Sequence, residues 1–416
     1  MTALVLNANI YDFGADAGAW RAPGTHPLDN LGAAFWRHVA RLADDGGLDG
    51  IFLADMPGLS ANPAIRPNRM VEPLATLAVV LAETRTLGVI ATLSTSAHEP
   101  LELAERLFEY HAMSGGRFGW NVVTGVPQLS LPDFGLDRQP ERDTRYARAE
   151  AFVQAVLAAG DAAAEGRAFH HEQPYFPFGS AQPAAPRVRW PGRPLIVQAG
   201  GSDQGRQLAA RSADAVFSAE SVLEVARANR LALRRMAAEL GRRPPLVLPG
   251  IHLVVGSTAE EAERRFDQVH SRGPRDYVLR RLAGLLDVDP YRLDLDAPAA
   301  AEIARVAGSV EHGSAGFRRA ITGFAAAHAL TVRQLLRHYA GFGHQFFVGT
   351  PEQLADVMAQ WQAGEAADGF NLLFDANPTG LREFVEQVMP VLRRRGLAAA
   401  HAPTTPFARR LQEMAR

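Results

Sequence analysis

The sequence that most clearly suggests a ligand is Gly200-Gly201-Ser202, which lies between an apolar run and the start of a helix pattern. Glycines let a phosphate approach the backbone, the Ser202 hydroxyl can donate to it, and the free amides of a helix N-terminus favour an anion. Ser202 stands where a G-x-G-x-x-G sequence has its second glycine, so a mononucleotide phosphate fits better than a Rossmann dinucleotide. The alternative is a plain strand-to-helix turn in which Ser202 is only the helix N-cap and Asp203 disfavours anions.

A second group of polar side chains lies in the segment SGGRFGWNVVTG, residues 114–125. Its first glycines close a helix, and the apolar run over 118–123 is typical of a parallel strand that is covered on both faces. Asn121 and Thr124 are the polar exceptions, so they need hydrogen-bond partners. They bind either a ligand at the end of the strand or only the neighbouring backbone.

Three of the 13 histidines are candidates for proton transfer. His98 follows the third strand pattern, His252 lies within an apolar run, and His312 lies in the sequence EHGSAG. An imidazole beside a pocket can donate or accept a proton near neutral pH, although a role in packing is the simpler interpretation of His252 and His312. No pair has the i, i+4 spacing in an acidic helix that marks a zinc site, so we expect no metal.

The residues that the chain lacks exclude several kinds of chemistry. It contains no cysteine and no lysine, so arginine supplies all 43 fixed positive charges. Schiff bases and Walker A loops need lysine, whereas thiolate catalysis and disulfides need cysteine. The net charge of -2 gives no reason to expect nucleic acid or a membrane as a partner. Because we find no secretory leader and no long apolar run, we expect a cytoplasmic protein.

Strand patterns alternate with amphipathic helix patterns along the chain, which predicts an α/β fold with a parallel sheet. Eight strands favour a (β/α)8 TIM barrel; they are predicted over 4–9, 50–54, 87–93, 118–123, 195–198, 215–218, 248–255 and 370–374. Helices are predicted over 33–43, 74–84, 100–113, 147–158, 203–212, 223–240 and 381–394. We expect one domain over 1–416, with insertions around 160–190 and 272–343 that form lids or binding walls, or else only packing or oligomer contacts.

Taken as a whole, SGGRFGWNVVTG resembles a motif of the bacterial-luciferase-like flavin monooxygenases, in their nitrilotriacetate and dibenzothiophene-sulfone branch. Further segments of that family's pattern follow in order and cover nearly the whole chain: LNANIYDFGADAGAWR, IFLADMPG, TLSTSAHEP, RYARAEAFV, LIVQAGGSDQG, FVGTPEQLADVMAQW and DGFNLL. The resemblance implies a two-component enzyme that takes reduced FMN from a separate NAD(P)H:flavin reductase. It would use dioxygen to oxidise a small organic substrate, as a homodimer or homotetramer.

The resemblance also implies which residues bind the cofactor. They are Asp55, Ser94, Thr95, Asn121, Thr124, Tyr146, Gly200, Gly201 and Ser202. Tyr146, Gly201 and Ser202 would hold the FMN phosphate, and Asn121 and Thr124 would face the isoalloxazine ring or the ribityl chain. Most of the nine follow predicted strands, and the C-terminal ends of strands are where barrel enzymes assemble their sites.

The sequence departs from the family pattern at two places. In the first loop, Asp16 and Ala17 lie where relatives carry a histidine before Ala-Trp-Arg, and Ala97 and His98 replace an aromatic residue and an asparagine or acid. His98 could therefore replace a lost polar group or indicate a different substrate. Two alternatives stay open: a deazaflavin-dependent hydride-transfer enzyme on the same barrel, and a flavin-binding protein without turnover.

Overall fold

The computed structural model describes residues 3–56, 70–125, 128–171, 175–180, 192–274, 276–306, 315–338, 344–400 and 404–414. Its strands are β1 (Val5–Asn9), β2 (Gly50–Leu53), β3 (Gly88–Ser94), β4 (Phe118–Val123), β5 (Phe169–His171), β6 (Phe178–Ser180), β7 (Leu195–Gln198), β8 (Ala215–Ser218), β9 (Leu246–Val255), β10 (Gln345–Gly349) and β11 (Gly369–Phe374). The eight predicted strands are all present, with bounds that differ by at most two residues.

Eight of these strands form a closed parallel barrel, in the order β1, β2, β3, β4, β7, β8, β9 and β11. The barrel closes where β11 pairs in parallel with β1, from Val5 opposite Gly369 to Asn9 opposite Leu373. The predicted TIM barrel is therefore confirmed. An unpredicted ninth strand, β10, pairs with residues 251–255 of β9, beyond the part of β9 that pairs with β8.

The helices that surround the barrel cover most of the connections between strands. They are α1 (Ala33–Asp45), α2 (Pro73–Glu83), α3 (Pro100–Met113), α4 (Arg142–Glu165), α5 (Asp203–Ser212), α6 (Leu223–Glu239), α7 (Ala259–His270), α8 (Tyr277–Leu286), α9 (Ala299–Val306), α10 (Ala315–Ala327), α11 (Val332–His338), α12 (Pro351–Ala363), α13 (Thr379–Glu383), α14 (Met389–Arg394) and α15 (Phe407–Met414). No helix among the described residues is long and apolar enough to cross a bilayer.

Two of the predicted helices differ from the structure by more than two residues at an end or by an interruption. Helix α4 extends well beyond 147–158 because its ends are rich in polar residues and alanine, which favour a helix without an apolar pattern. It ends at Gly166, whose left-handed backbone conformation is typical of a helix C-terminus. The helix predicted over 381–394 is divided by a π-helical turn, Phe384–Val388, and α14 begins with a proline in its first turn.

The N-terminal end of the barrel interior is filled by the C-terminal helix α15. Phe407 and Leu411 of α15 pack in one apolar cluster with barrel residues such as Val5 and Ile90. Gly88 leaves the space for this contact, since a Cβ there would lie 2.2 Å from the Phe407 ring. The interior is thus closed at one end and can hold a ligand only towards the C-terminal ends of the strands.

The two predicted insertions contain their own local structure. The first contains the antiparallel pair β5 and β6, together with residues that lie outside the described ranges. The second contains α8, α9, α10 and α11, which pack around a separate apolar cluster that includes Leu282, Ile303 and Leu335. Helix α10 of this second insertion reaches the open end of the barrel, as its contacts below show.

Candidate active site

A cavity of about 500 Å³ lies at the C-terminal ends of the barrel strands. Residues that follow β2, β7 and β8 line it, and Asn121 and Val123 of β4 complete this part of its wall. Arg319 from α10 and His344, which precedes β10, also line it. The second insertion therefore contributes a wall of the same cavity that the barrel forms.

Four of the nine predicted cofactor residues line this cavity, namely Asp55, Asn121, Gly200 and Gly201. Tyr146 and Ser202 lie next to it, since Ser202 follows Gly201 directly and its hydroxyl donates to the Tyr146 hydroxyl at 3.3 Å. The structure thus brings together the two segments to which the family resemblance assigns phosphate binding, although 56 residues separate them.

Ser202 begins helix α5 as its N-cap. Its Oγ accepts a hydrogen bond from the Gly205 backbone amide at 3.1 Å, which is the usual geometry of a serine cap. The turn before it is tight, because a Cβ on Gly205 would lie 2.8 Å from the Gly200 carbonyl oxygen. The capping role and the proximity to Tyr146 coexist, so the sequence alternatives for Ser202 do not exclude one another.

Two arginines add positive charge beside this turn. Arg206 Nη1 and Arg319 Nη2 donate to the Gly201 carbonyl oxygen at 3.2 and 3.1 Å. Arg206 also forms an ion pair with Asp203, which offsets the negative charge by which the Asp203 carboxylate would disfavour a bound anion. The N-terminus of α5, two hydroxyl groups and two guanidinium groups therefore surround one corner of the cavity, and this donor set suits a phosphate.

The amide of Asn121 is held by a neighbouring strand and keeps one oxygen available. Its Nδ2 donates to Thr92 Oγ1 at 2.9 Å, and both side chains are buried. Its Oδ1 and the Ser218 Oγ are buried without a hydrogen-bond partner among the described residues. Buried acceptors of this kind need donors, and the N–H and hydroxyl groups of a flavin and its ribityl chain would supply them.

The predicted residues Ser94, Thr95 and Thr124 join two loops to each other. Ser94 Oγ donates to the Gly125 carbonyl at 2.8 Å, and the Thr95 amide donates to the Val123 carbonyl at 2.9 Å. The Thr124 carbonyl accepts from Ser96 Oγ at 3.2 Å. These three residues fix the loops after β3 and β4, and none of them lines the cavity.

Two of the three predicted proton-transfer residues, His98 and His252, do not line the cavity. His98 is half-buried before α3, and burial lowers the pKa of its imidazole, with a smaller contribution from Arg106. His252 is fully buried on β9, where burial lowers the pKa of its ring to about 4. His312 lies outside the described residues.

Among the described residues, the histidine that lines the cavity is His344, which the sequence did not indicate as a candidate. Its ring stacks on Phe217 with 5.0 Å between centroids and 14° between planes. Burial, with a smaller effect of His252, lowers the pKa of its imidazole to about 3, so the ring is neutral at neutral pH. A Cβ on Gly250 would lie 2.5 Å from His344 Nδ1, so this close approach requires a glycine inside β9. A glycine inside a strand often marks such an approach, and it was the one feature of the sequence that pointed to a neighbouring group here.

Asp16, at the first departure from the family pattern, has a histidine partner from another element. Its Oδ2 lies 3.2 Å from Nδ1 of His270 in the last turn of α7, and its Oδ1 accepts from the Gly18 amide at 2.8 Å. The hydrogen bond with Asp16 raises the pKa of His270. An imidazole from α7 therefore lies beside this departure from the family pattern.

No group of three or more histidine, aspartate or glutamate side chains could hold a metal ion within the described ranges. The site thus consists of hydrogen-bond donors and acceptors on apolar walls, which include Phe52 and Phe217. Such a pocket suits an organic cofactor with one anionic end.

Comparison with known proteins gives one matching family model, one similar sequence and two similar structures. A family model described as luciferase-like monooxygenase matches residues 19–368. Nitrilotriacetate monooxygenase component A of Aminobacter aminovorans is 33% identical over 416 aligned residues, which cover 92% of this chain and 90% of the relative. The structure of EDTA monooxygenase from Chelativorans sp. BNC1 has a TM-score of 0.80 at 27% identity and 98% coverage of both chains. A riboflavin lyase solved with modified FMN and riboflavin has a TM-score of 0.79 at 26% identity, over 99% of this chain and 96% of the lyase.

Proposed function

Because this chain belongs to the luciferase-like monooxygenase family, we propose that it binds reduced FMN from a separate NAD(P)H:flavin reductase and uses dioxygen to oxidise a small organic substrate. The observation that carries this proposal is the phosphate corner, by which we mean Gly201, Ser202, Tyr146, Arg206 and Arg319. It adjoins a cavity whose buried acceptor atoms need donors. Bound there, the reduced flavin would activate dioxygen for transfer of one oxygen atom to the substrate.

The phosphate corner would bind the FMN phosphate through neutral and charged donors. Ser202 Oγ and Tyr146 OH already lie at 3.3 Å from each other, so one phosphate oxygen could accept from both. Arg206 and Arg319 would contribute positive charge, and the first amides of α5 would contribute the helix dipole. Since an uncharged ribityl end gains little from these groups, the corner should distinguish FMN from riboflavin.

Asn121 would orient the other end of the cofactor. Because Thr92 accepts from its Nδ2, the amide is fixed with Oδ1 as the acceptor that is left for a ligand. Phe52, Val123 and Phe217 supply apolar surface in the same cavity. Such walls exclude water from a reactive reduced cofactor and strengthen the hydrogen bonds inside.

In our proposal the histidine that contacts the substrate is His344, since it lines the cavity. Because the pKa of its imidazole is about 3, the neutral ring is a weak base, and it would donate or accept a hydrogen bond rather than take up a proton. His252 lies on β9, opposite Phe346 of β10, and does not line the cavity, so its side chain would act only indirectly. His98 and His312 stay predictions.

The similar riboflavin lyase was solved with modified FMN, which supports FMN over a deazaflavin. The test is the affinity of the protein for FMN and for riboflavin, measured by quenching of flavin fluorescence. We expect tighter binding of FMN by at least about tenfold, because charge-assisted hydrogen bonds contribute about 1.5–3 kcal/mol each. The double variant Ser202→Ala, Tyr146→Phe should lose most of this preference. Equal affinity of the unaltered protein for the two flavins would contradict the proposal that the phosphate corner binds the FMN phosphate.

A further inference from the structure

A buried carboxylate, Glu220, lines the cavity beside the residues assigned to the cofactor. It follows β8, and only 9% of its surface is exposed. Asn229 of α6 donates from Nδ2 to Glu220 Oε1 at 2.8 Å, which fixes the orientation of the carboxylate. The other oxygen, Oε2, is buried and has no hydrogen-bond partner among the residues that the structure describes.

Glu220 has no ion-pair partner among the residues that the structure describes, since none of their arginine or histidine side chains pairs with it. Arg206 and Arg319 line the same cavity, but both donate to the Gly201 carbonyl, and Arg206 also pairs with Asp203. Burying a carboxylate without a partner is costly, so a cation that bound beside Oε2 would offset this cost.

The surroundings of Glu220 indicate what such a ligand contains. Phe217, Ala219 and Val225 line the cavity on the same side, at β8 and the start of α6. The residues that we assign to the cofactor, Asn121 and the phosphate corner, come mainly from β4, α4 and α5. A ligand at Glu220 therefore meets a carboxylate oxygen next to apolar surface at β8, which β7 separates from β4 in the barrel.

We propose that Glu220 binds a protonated amine of the substrate, so that the substrate is a small organic cation with an apolar part. The ammonium N–H would donate to Oε2, and the apolar part would pack on Phe217 and Val225. This assignment deepens the proposed function and rests on it for the position of the cofactor. Asn229 acts as a positioning residue, because it holds the carboxylate and leaves Oε2 for the ligand.

The test compares two probes of similar shape, benzylamine and benzyl alcohol, of which only the first is a cation near neutral pH. Calorimetric titration of the protein, with and without saturating FMN, measures the Kd of each probe. We expect benzylamine to bind at least about tenfold more tightly, and Glu220→Gln to remove this preference, since a charged hydrogen bond becomes a neutral one. Glu224→Gln is the matched control, because this exposed carboxylate lies four residues away and does not line the cavity.

Equal affinity of the unaltered protein for the two probes, or an amine preference that survives in Glu220→Gln, would overturn the assignment. Loss of the preference in Glu224→Gln as well would do the same, because the effect would then come from general surface charge. The FMN titration separates the two proposals. Failure to bind FMN contradicts the proposed function, whereas normal FMN binding without amine preference contradicts only the role of Glu220.

Discussion

Replacement of Gly205 by alanine should damage the phosphate corner from within. A Cβ at this position would lie 2.8 Å from the Gly200 carbonyl oxygen and 3.1 Å from its Cα, and these are backbone atoms that cannot rotate away. Alanine usually stabilises a helix by about 1 kcal/mol relative to glycine. Overpacking costs about 1–3 kcal/mol, so Gly205→Ala should be neutral or destabilising by up to about 2 kcal/mol.

Gly284 provides the matched control, since it is an exposed glycine of helix α8 whose Cβ would meet nothing within 4 Å. Gly284→Ala should stabilise the protein by about 0.5–1 kcal/mol. Urea denaturation should therefore show a difference of about 1–3 kcal/mol between the two variants, which is the overpacking cost alone. FMN affinity should fall only in Gly205→Ala, because its clash moves Gly200 and Gly201. Equal stabilisation by both substitutions would refute the close approach at this turn.

Two further predictions concern the ends of the barrel. Gly88→Ala should destabilise the protein by about 1–3 kcal/mol because its Cβ would lie 2.2 Å from the Phe407 ring. Phe407→Leu should then reduce the free energy of unfolding less in the Gly88→Ala background than alone. If urea denaturation shows that the two losses of stability are additive, the contact between residues 88 and 407 is contradicted. Asp16→Asn should remove the hydrogen bond that raises the pKa of His270. The raised pKa of His270 stabilises the folded state below a pH of about 6.5, which is the pKa of the ring in the unfolded chain, and this stabilisation is lost as pH rises through the higher pKa of the folded state. The free energies of unfolding of Asp16→Asn and the unaltered protein should therefore differ more near pH 6 than near pH 9. A difference that is constant over this range would contradict the hydrogen bond between Asp16 and His270.

The barrel could be predicted from the sequence because its strands are continuous apolar runs. Strands such as β4 and β7 are buried on both faces and therefore have the composition that marks a parallel sheet. Strand β10 has no such signal, since four of its five residues are half-buried and it pairs only outside the eight-strand barrel. The division of the last helix pattern by a π turn was equally invisible, because the apolar spacing continues through it.

The site could be predicted only where its residues form a local pattern. Ser202 and Tyr146 belong to recognisable segments, and Asn121 is a polar residue in an apolar run. His344 and Glu220 lie in loops, and what makes them functional candidates is burial and contacts with distant elements such as Gly250 and Asn229. A single sequence contains no spacing that encodes those contacts.

The measurement that tests the central claim most directly is the reoxidation of reduced FMN in the presence of the protein. Photoreduced FMN is titrated into the protein without oxygen, and the complex is then mixed rapidly with oxygenated buffer while flavin absorbance is followed. If the apolar cavity binds reduced FMN and excludes water from it, the protein should bind FMN more tightly than riboflavin. The bound reduced FMN should also reoxidise with kinetics clearly different from those of free reduced FMN. Reoxidation at the rate of free FMN, at protein concentrations that exceed any plausible Kd, would contradict the account.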